Sequence, residues 1–349
     1  RLYEKLRPHV FDKHRDLADD PANRSMLEGW AKEDARYILS LATQTQLGMT
    51  LNARNLELVM RRMASHILQE ANEYGRKLYE IVKPVAPSLI RYTEKTDYDH
   101  LTGKNLSERI STFLQEISHE EKISSDTRSF CAPSSMVDLI QITPDADNRV
   151  LSAFIHAATN RPLADCLRLA SALPLSQKEE IFRTAFRHMK SHDAAPRALE
   201  SVDLTYELVI SASCFAQLKR HRMATLLCQD YNPELGVTIP DAIRETGMET
   251  VFLEAIGATE DLYAKLRKTV PAAAGYCLTN AHRKRVFFKI NARELYHIAR
   301  LRADRHAQWD IRNLAVDMIA KAETAMPLTL MLATGKDGFD ARRNELFGT

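Results

Sequence analysis

The sequence predicts an α+β fold, and three observations carry that expectation. Two stretches alternate with the period of a half-buried strand: Leu204, Tyr206, Leu208 and Ile210 against Asp203, Thr205 and Glu207, then Val286, Phe288 and Ile290 against Arg285, Phe287 and Lys289. Long segments with helical spacing lie between and around them. The chain shows neither a regular β-α-β rhythm nor a G-x-G-x-x-G loop, which argues against a Rossmann-type sheet.

Taken in order, residues 1–130 read as mostly helical. The chain opens at Arg1, without methionine, inside a charged segment of helical character, so a region upstream is expected. The strongest element begins near Asn52. Its Leu56, Val59, Met60, Met63, Ile67, Leu78 and Ile81 fall near one face, and it stops before Pro84 and Pro87. Tyr92–Ser135 is polar apart from an amphipathic piece around Ile110–Ile117, and Ser124–Ser135, with Pro133, is the expected linker. A second unit, 131–349, opens with a short apolar strand in M-V-D-L-I-Q-I, followed by a turn and a helix through Val150–Ala158. Ser176 is expected to cap a further helix, with Glu179 completing a capping box. Ser211 can cap the short helix that runs into Arg220-His221-Arg222. The strand ending at Ile290 feeds a long helix from Asn291 to about Lys321.

Composition narrows the function classes. The 349 residues suffice for one large domain or two ordinary ones, and 45% hydrophobic with 27% charged residues is ordinary for a soluble globular protein. Lys and Arg (48) nearly balance Asp and Glu (46), so no global field favours nucleic acid or an anionic membrane, and anion binding must be local. No apolar run reaches the roughly 18 residues of a membrane span. Five scattered cysteines without a C-x-x-C pair argue against a disulfide framework and a metal site, and for a reducing, cytoplasmic compartment.

Two basic constellations could carry chemistry. Arg220-His221-Arg222 offers two planar guanidinium forks around an imidazole, suited to phosphate and to a heterocycle. Alone, such a triplet reads as a solvated basic surface; its place after an apolar strand-helix unit, with Gln217 just before it, points to a site. The second group is Asn291, Arg293, Arg302, His306 and Gln308, with Arg285 upstream. Asn291, Arg302 and Arg305 can line one side of a helix whose N-terminus is a natural anion site. The plain alternative is a solvated face on which Asp304 and Asp310 offset the arginines.

Asn-Ala-Arg occurs twice, at Asn52-Ala53-Arg54 and Asn291-Ala292-Arg293. Each copy is preceded at the same distance by a tyrosine, Tyr37 or Tyr276, and followed by a leucine, Leu56 or Leu295. The spacing is too long for a solenoid unit and indicates domain duplication: an incomplete first copy within 1–130 and a nearly complete second within 131–349.

The order A-Q-L-K-R-H-R-M-A-T, then I-N-A-R-E-L-Y-H-I-A-R-L-R-A-D-R-H-A-Q-W-D-I-R, resembles the flavin-dependent thymidylate synthase family, over about residues 136–330 and again over 26–90. The resemblance implies an antiparallel sheet with long helices, as in the thymidylate synthase complementing proteins, and a homo-oligomer with sites between subunits. For a tandem chain that means a dimer giving a pseudo-tetramer. It further implies methylation of the pyrimidine nucleotide dUMP with FAD as cofactor, and NADPH and methylenetetrahydrofolate as cosubstrates. By position, Arg220, His221, Arg222, Asn291, Arg293 and His297 are expected at FAD, with Asn52 and Arg54 in the first copy; Arg36, Gln217 and Arg302 are expected at the nucleotide. No catalytic residue is assigned.

Departures from the family pattern keep a second reading open. The family's Ser-x-Arg falls at Asp230 and Asn232, and the acidic residue before it at Cys228. That exchange removes a cation and puts a carboxylate where a phosphate is expected. Leu199-Glu200 stands in place of Glu-His, with His192 matching an upstream histidine, and Gly275 replaces an arginine that the first copy keeps as Arg36. In the first copy Met63 stands where the second has Arg302, beside Arg62. The alternative function is a non-catalytic relative that keeps flavin or nucleotide binding, or only the fold, in a regulatory or structural role.

Overall fold

The computed structural model of the chain describes residues 1–120 and 135–348. The expected linker, Ser124–Ser135, lies almost wholly outside them, as does Cys131. In chain order the elements are α1 (Leu2–Lys13), α2 (Arg15–Ala18), α3 (Arg24–Ala35), α4 (Ala53–Ala64), α5 (Gln69–Val82), α6 (Asp97–Glu120), β1 (Val137–Ile142), α7 (Ala146–Ala158), α8 (Leu163–Ala172) and α9 (Leu175–Phe186). Then follow β2 (Asp203–Ser211), α10 (Ala212–Leu218), β3 (Thr225–Cys228), α11 (Asp241–Glu245), α12 (Glu249–Thr269), β4 (Arg283–Asn291), α13 (Ala292–Arg302), α14 (Trp309–Glu323) and α15 (Phe339–Phe347). The fold is α+β. Among the described residues no helix is long and apolar enough to cross a membrane.

The chain forms two compact units. One comprises Arg1–Ser40, Cys131–Glu260 and Leu278–Thr349; the other comprises Leu41–Phe130 and Asp261–Cys277. These units do not follow a cut at 130/131. The physical reason is the apolar stripe of the first helices. Leu6 and Val10 of α1, Leu27 and Ala31 of α3, and Tyr37 are buried against Ala242, Ile243, Phe252, Ile256 and Ala281. Exposing that stripe would cost about 1.5–3 kcal/mol per large side chain.

In the first unit an antiparallel sheet runs in the order β1-β2-β4-β3. β2 and β4 pair along their whole length, from Asp203 opposite Asn291 to Ser211 opposite Arg283. β4 alternates as its sequence predicts, with Val286, Phe288 and Ile290 buried. β2 does not: Thr205 and Val209 are buried as well as Leu204, Tyr206, Leu208 and Ile210. A central strand flanked on both edges and covered on both faces leaves little room for polar alternation.

Two helical expectations change in this unit. Ser176 is not a cap: α9 starts at Leu175 after Pro174, and Glu179 pairs with Arg183 instead. Proline's fixed φ sets the helix entry there. The helix from Asn291 to Lys321 is two helices, because residues 303–308 turn. The Asp304 carboxylate accepts the backbone N–H of His306 and of Asp337, and Gln308 restarts the chain by accepting the N–H groups of Asp310 and Ile311. Gly335 lies so close to this turn that a Cβ would stand 2.4 Å from the Ala303 carbonyl oxygen.

In the second unit the element after Asn52 is a helical hairpin. The Asn72 amide donates to the carbonyls of Met63 (2.7 Å) and His66 (3.0 Å), which takes up end carbonyls of α4 and breaks the helix. At Gly75 the helices approach so closely that a Cβ would lie 2.8 Å from that of Met63. Ile67 and Ile81, expected on the apolar face, are exposed. The expected amphipathic piece at Ile110–Ile117 is part of the longer α6. Thr96 Oγ1 accepts the Asp99 N–H at its start, and Asp97 and Asp99 complement the helix dipole.

Two outcomes follow from this packing. Gly335→Ala forces a backbone shift at the 303–308 turn and is expected to cost about 1–3 kcal/mol in urea unfolding; an unchanged midpoint would refute the close contact. Asp34 is buried and accepts the Trp309 indole N–H at 2.8 Å; burial pushes its carboxyl up to about 6. A raised folded pKa means its contribution is full below the ordinary 3.8 and is lost as pH rises through about 6. Asp34→Asn keeps the acceptor without the charge. It is therefore expected to exceed wild-type stability near neutral pH by about 1–3 kcal/mol, with the gain shrinking toward acid pH in parallel urea titrations.

Candidate functional site

The site is carried by two strand-to-helix junctions, β2 into α10 and β4 into α13. At the first, Ser211 caps α10 by accepting the Cys214 N–H at 3.0 Å, and its hydroxyl donates to Asp310 Oδ2 at 2.6 Å. Tyr37 donates to the same carboxylate oxygen at 2.8 Å and accepts from the Gln308 amide at 3.0 Å. The Tyr37 ring stacks on Trp309 with centroids 5.6 Å apart. Burial pushes the Asp310 carboxyl up, while its two hydroxyl donors pull it back. At the second junction Asn291 caps α13, its side-chain oxygen accepting the Glu294 N–H at 2.8 Å. The Ala292 N–H is held by the Val202 carbonyl.

These junctions bring distant residues together. His221, just beyond α10, is buried; its Nδ1 lies 3.1 Å from Glu294 Oε1, and its Nε2 accepts from Arg302 Nε at 3.1 Å. Arg302 Nη1 donates to Gln217 Oε1 at 3.0 Å. The exposed His297 meets His221 edge-on, with centroids 5.6 Å apart. Burial pushes both the His297 imidazole and the Arg302 guanidinium below their ordinary values; nearby Arg220 adds to the effect on Arg302.

Beside this chain lies a cavity of about 440 Å³, within the usual range for small-molecule sites, lined in part by Met223, Asn291, Arg293, Glu294, His297 and Arg300. Its cations are tethered. Arg293 donates to the Ala195 carbonyl and to Glu200 Oε1, both at 2.8 Å, and Arg300 donates to the carbonyls of His192 and Asp193. Glu200 also pairs with Arg197 at 3.0 Å, and that bond above all holds its carboxyl below the ordinary range.

The family description "thymidylate synthase complementing protein" matches residues 2–88 and 138–328. The chain belongs to the thymidylate synthase complementing protein family. A UPF0159 protein of Chlamydia pneumoniae is 26% identical over 300 residues, covering 84% of this chain and 55% of that protein. A flavin-dependent thymidylate synthase of Geobacter sulfurreducens is 34% identical over 139 residues, covering 37% of this chain and 60% of that enzyme. Among solved structures, the UMP/dUMP methylase PolB from Streptomyces cacaoi, bound with 5-Br dUMP, aligns at 17% identity and a TM-score of 0.46, over 60% of this chain and 97% of that one. The chain spans about half the length of its UPF0159 relatives, 55% and 53% for two chlamydial ones.

Within this family chain the structure gathers Gln217, His221, Asn291, Arg293, His297 and Arg302 into one region. Arg220 and Arg222 lie beside it, exposed and without a side-chain hydrogen bond or ion pair among the described residues. Arg36 is exposed outside the cavity lining, its carbonyl accepting from Asn280. Asn52 and Arg54 belong to the second compact unit, where Asn52 caps α4 through the Asn55 N–H and Arg54 is exposed. Arg305 and His306, expected on the helix face, sit in the 303–308 turn. Asp304 and Asp310 are inward hydrogen-bond acceptors rather than solvated counter-charges. Arg285 pairs across the sheet with Glu207 at 2.8 Å. Asn232 turns its side chain back to the Glu234 N–H at 3.0 Å, so it serves the local turn. Sequence reasoning missed Glu294 and Arg300, and it missed that Ser211 and Tyr37 meet at Asp310. An acidic residue three positions after a capping Asn was the visible signal for Glu294 alone.

Ser211→Ala removes both a helix cap and a donor to the half-buried Asp310 carboxylate. It is expected to cost about 2 kcal/mol in urea unfolding; a loss below a few tenths would show that the junction is held otherwise.

Proposed function

We propose that the chain forms a flavin- and pyrimidine-nucleotide-binding site of the thymidylate synthase type, around the Arg220–Arg222 turn and α13. The observation that carries this reading is the convergence, from positions more than seventy residues apart, of His221 and Gln217 onto Arg302 beside a cavity bearing Asn291, Arg293 and His297. The proposed reaction transfers a methylene group from methylenetetrahydrofolate to C5 of dUMP, with FAD reduced by NADPH. FAD, when bound, supplies the hydride. The donor set suits such ligands: guanidinium forks match pyrophosphate and phosphate, and Arg220 and Arg222 are exposed and unpaired among the described residues. Arg293 and Arg300 position the wall through Glu200 and main-chain carbonyls, while His297 presents an exposed ring at the cavity. In this reading Arg36 of the first copy serves the nucleotide and Asn52 and Arg54 serve the flavin, and the chain acts in a cytoplasmic homo-oligomer.

A second reading, a binding or structural relative without turnover, is favoured by Asp230 and by Asn232, whose side chain is committed to Glu234. One experiment separates the two. The purified protein is expected to show flavin absorbance and to form dTMP from dUMP with methylenetetrahydrofolate and NADPH, and Arg222→Ala is expected to weaken FAD binding about tenfold. A yellow protein without turnover supports the second reading. A colourless protein that takes up neither FAD nor dUMP sinks both.

A further inference from the structure

The Glu294–His221–Arg302–Gln217 chain contains a constraint on protons. A guanidinium has donors and no acceptor, so the 3.1 Å contact from Arg302 Nε requires a lone pair on His221 Nε2. The ring proton is then on Nδ1, where it donates to Glu294 Oε1 at 3.1 Å. Both partners come from α13, whose N-terminus is fixed by the Asn291 cap, and His221 and Glu294 are each more than nine-tenths buried. With Arg302 Nε given to His221 and Nη1 to Gln217, only its Nη2 is without a hydrogen bond among the described residues.

We infer that Glu294 is a positioning residue: it locks His221 as the Nδ1–H tautomer, so that the Nε2 lone pair aims Arg302 and leaves its Nη2 edge for an oxygen of an anionic ligand. The ligand part rests on the nucleotide-site reading above; the lock does not. It also explains why a family-type histidine can be buried here: its work is to hold the arginine. His221, Glu294 and His297 bring ligand atoms within 4.8 Å of one another, a spacing a metal ion could use. A metal on Nδ1 would move the ring proton to Nε2, directly against the Arg302 N–H, so the lock and metal binding exclude each other.

The test is nitrogen-15 NMR of the histidines and arginine Nε groups in the full chain, with dUMP and Zn²⁺ as separate probes. For wild type, His221 is expected to show a protonated Nδ1 and an unprotonated Nε2, with a slowly exchanging Arg302 Nε–H. Glu294→Gln keeps an acceptor and is expected to preserve these signals and hold dUMP affinity within about twofold, whereas Glu294→Ala is expected to lose them and weaken dUMP binding about tenfold. Rescue by Gln separates positioning from loss of packing. A protonated Nε2 in wild type, or a Zn²⁺ shift of His221 that frees Arg302, overturns the lock. Locked signals in a wild type that binds no dUMP keep the lock and sink the nucleotide reading alone.

Discussion

The half-buried carboxylate of Asp310 is the constraint on which the first unit depends. Withdrawing a carboxylate from water is costly unless donors replace the water, and here two hydroxyls reach its Oδ2 from separated parts of the chain: Tyr37 near the N-terminal helices and Ser211 at the end of β2. Satisfying one charge therefore fixes three segments at once. Ser211 in turn caps α10, and α10 sets where Gln217 and His221 stand. The polar group does not add stability so much as it selects one arrangement of the surrounding apolar stripes.

The same logic runs through the candidate site. Its cations are held by protein acceptors: Arg293 by Glu200 and a carbonyl, Arg300 by two carbonyls, Arg302 by Gln217 and His221. In the proposed reading, such tethering lowers the entropy that binding a phosphate or flavin would cost, because the forks are already aimed. It also means an incoming anion competes with Glu200 for Arg293. Among the described residues Arg220 and Arg222 carry no such partner, so in the proposed reading they provide the uncommitted charge. Asp230 is exposed in the following loop, and its repulsion of an anion is weakened by water more than an inward carboxylate's would be.

Much of the fold was legible in the residues. The β4 alternation, the Ser211 cap, β1 and the helix beginning near Asn52 all follow from local chemistry, which acts over a few residues and is visible in a short window. The breaks at 65–68 and 303–308 were not. The first depends on Asn72 bonding back to Met63 and His66, and the second on Asp304 accepting the N–H of Asp337, partners known only once the chain has turned back; the Gln308 cap that restarts the helix is local. The false cap at Ser176 fails for a local reason instead, since Pro174, two residues earlier, fixes the helix entry.

By itself the sequence determined an α+β protein with a basic pair of motifs and the family to which the chain belongs, because motif order and periodicity survive without coordinates. Which of those residues work together was decided by tertiary structure. Glu294 and His221 are far apart in sequence, and their pairing exists only because β2 and β4 lie side by side, antiparallel, and the helices that leave their opposite ends, α10 and α13, bring the two residues together. A hydrogen bond is specified by distance and direction, and neither is written in a linear order of side chains.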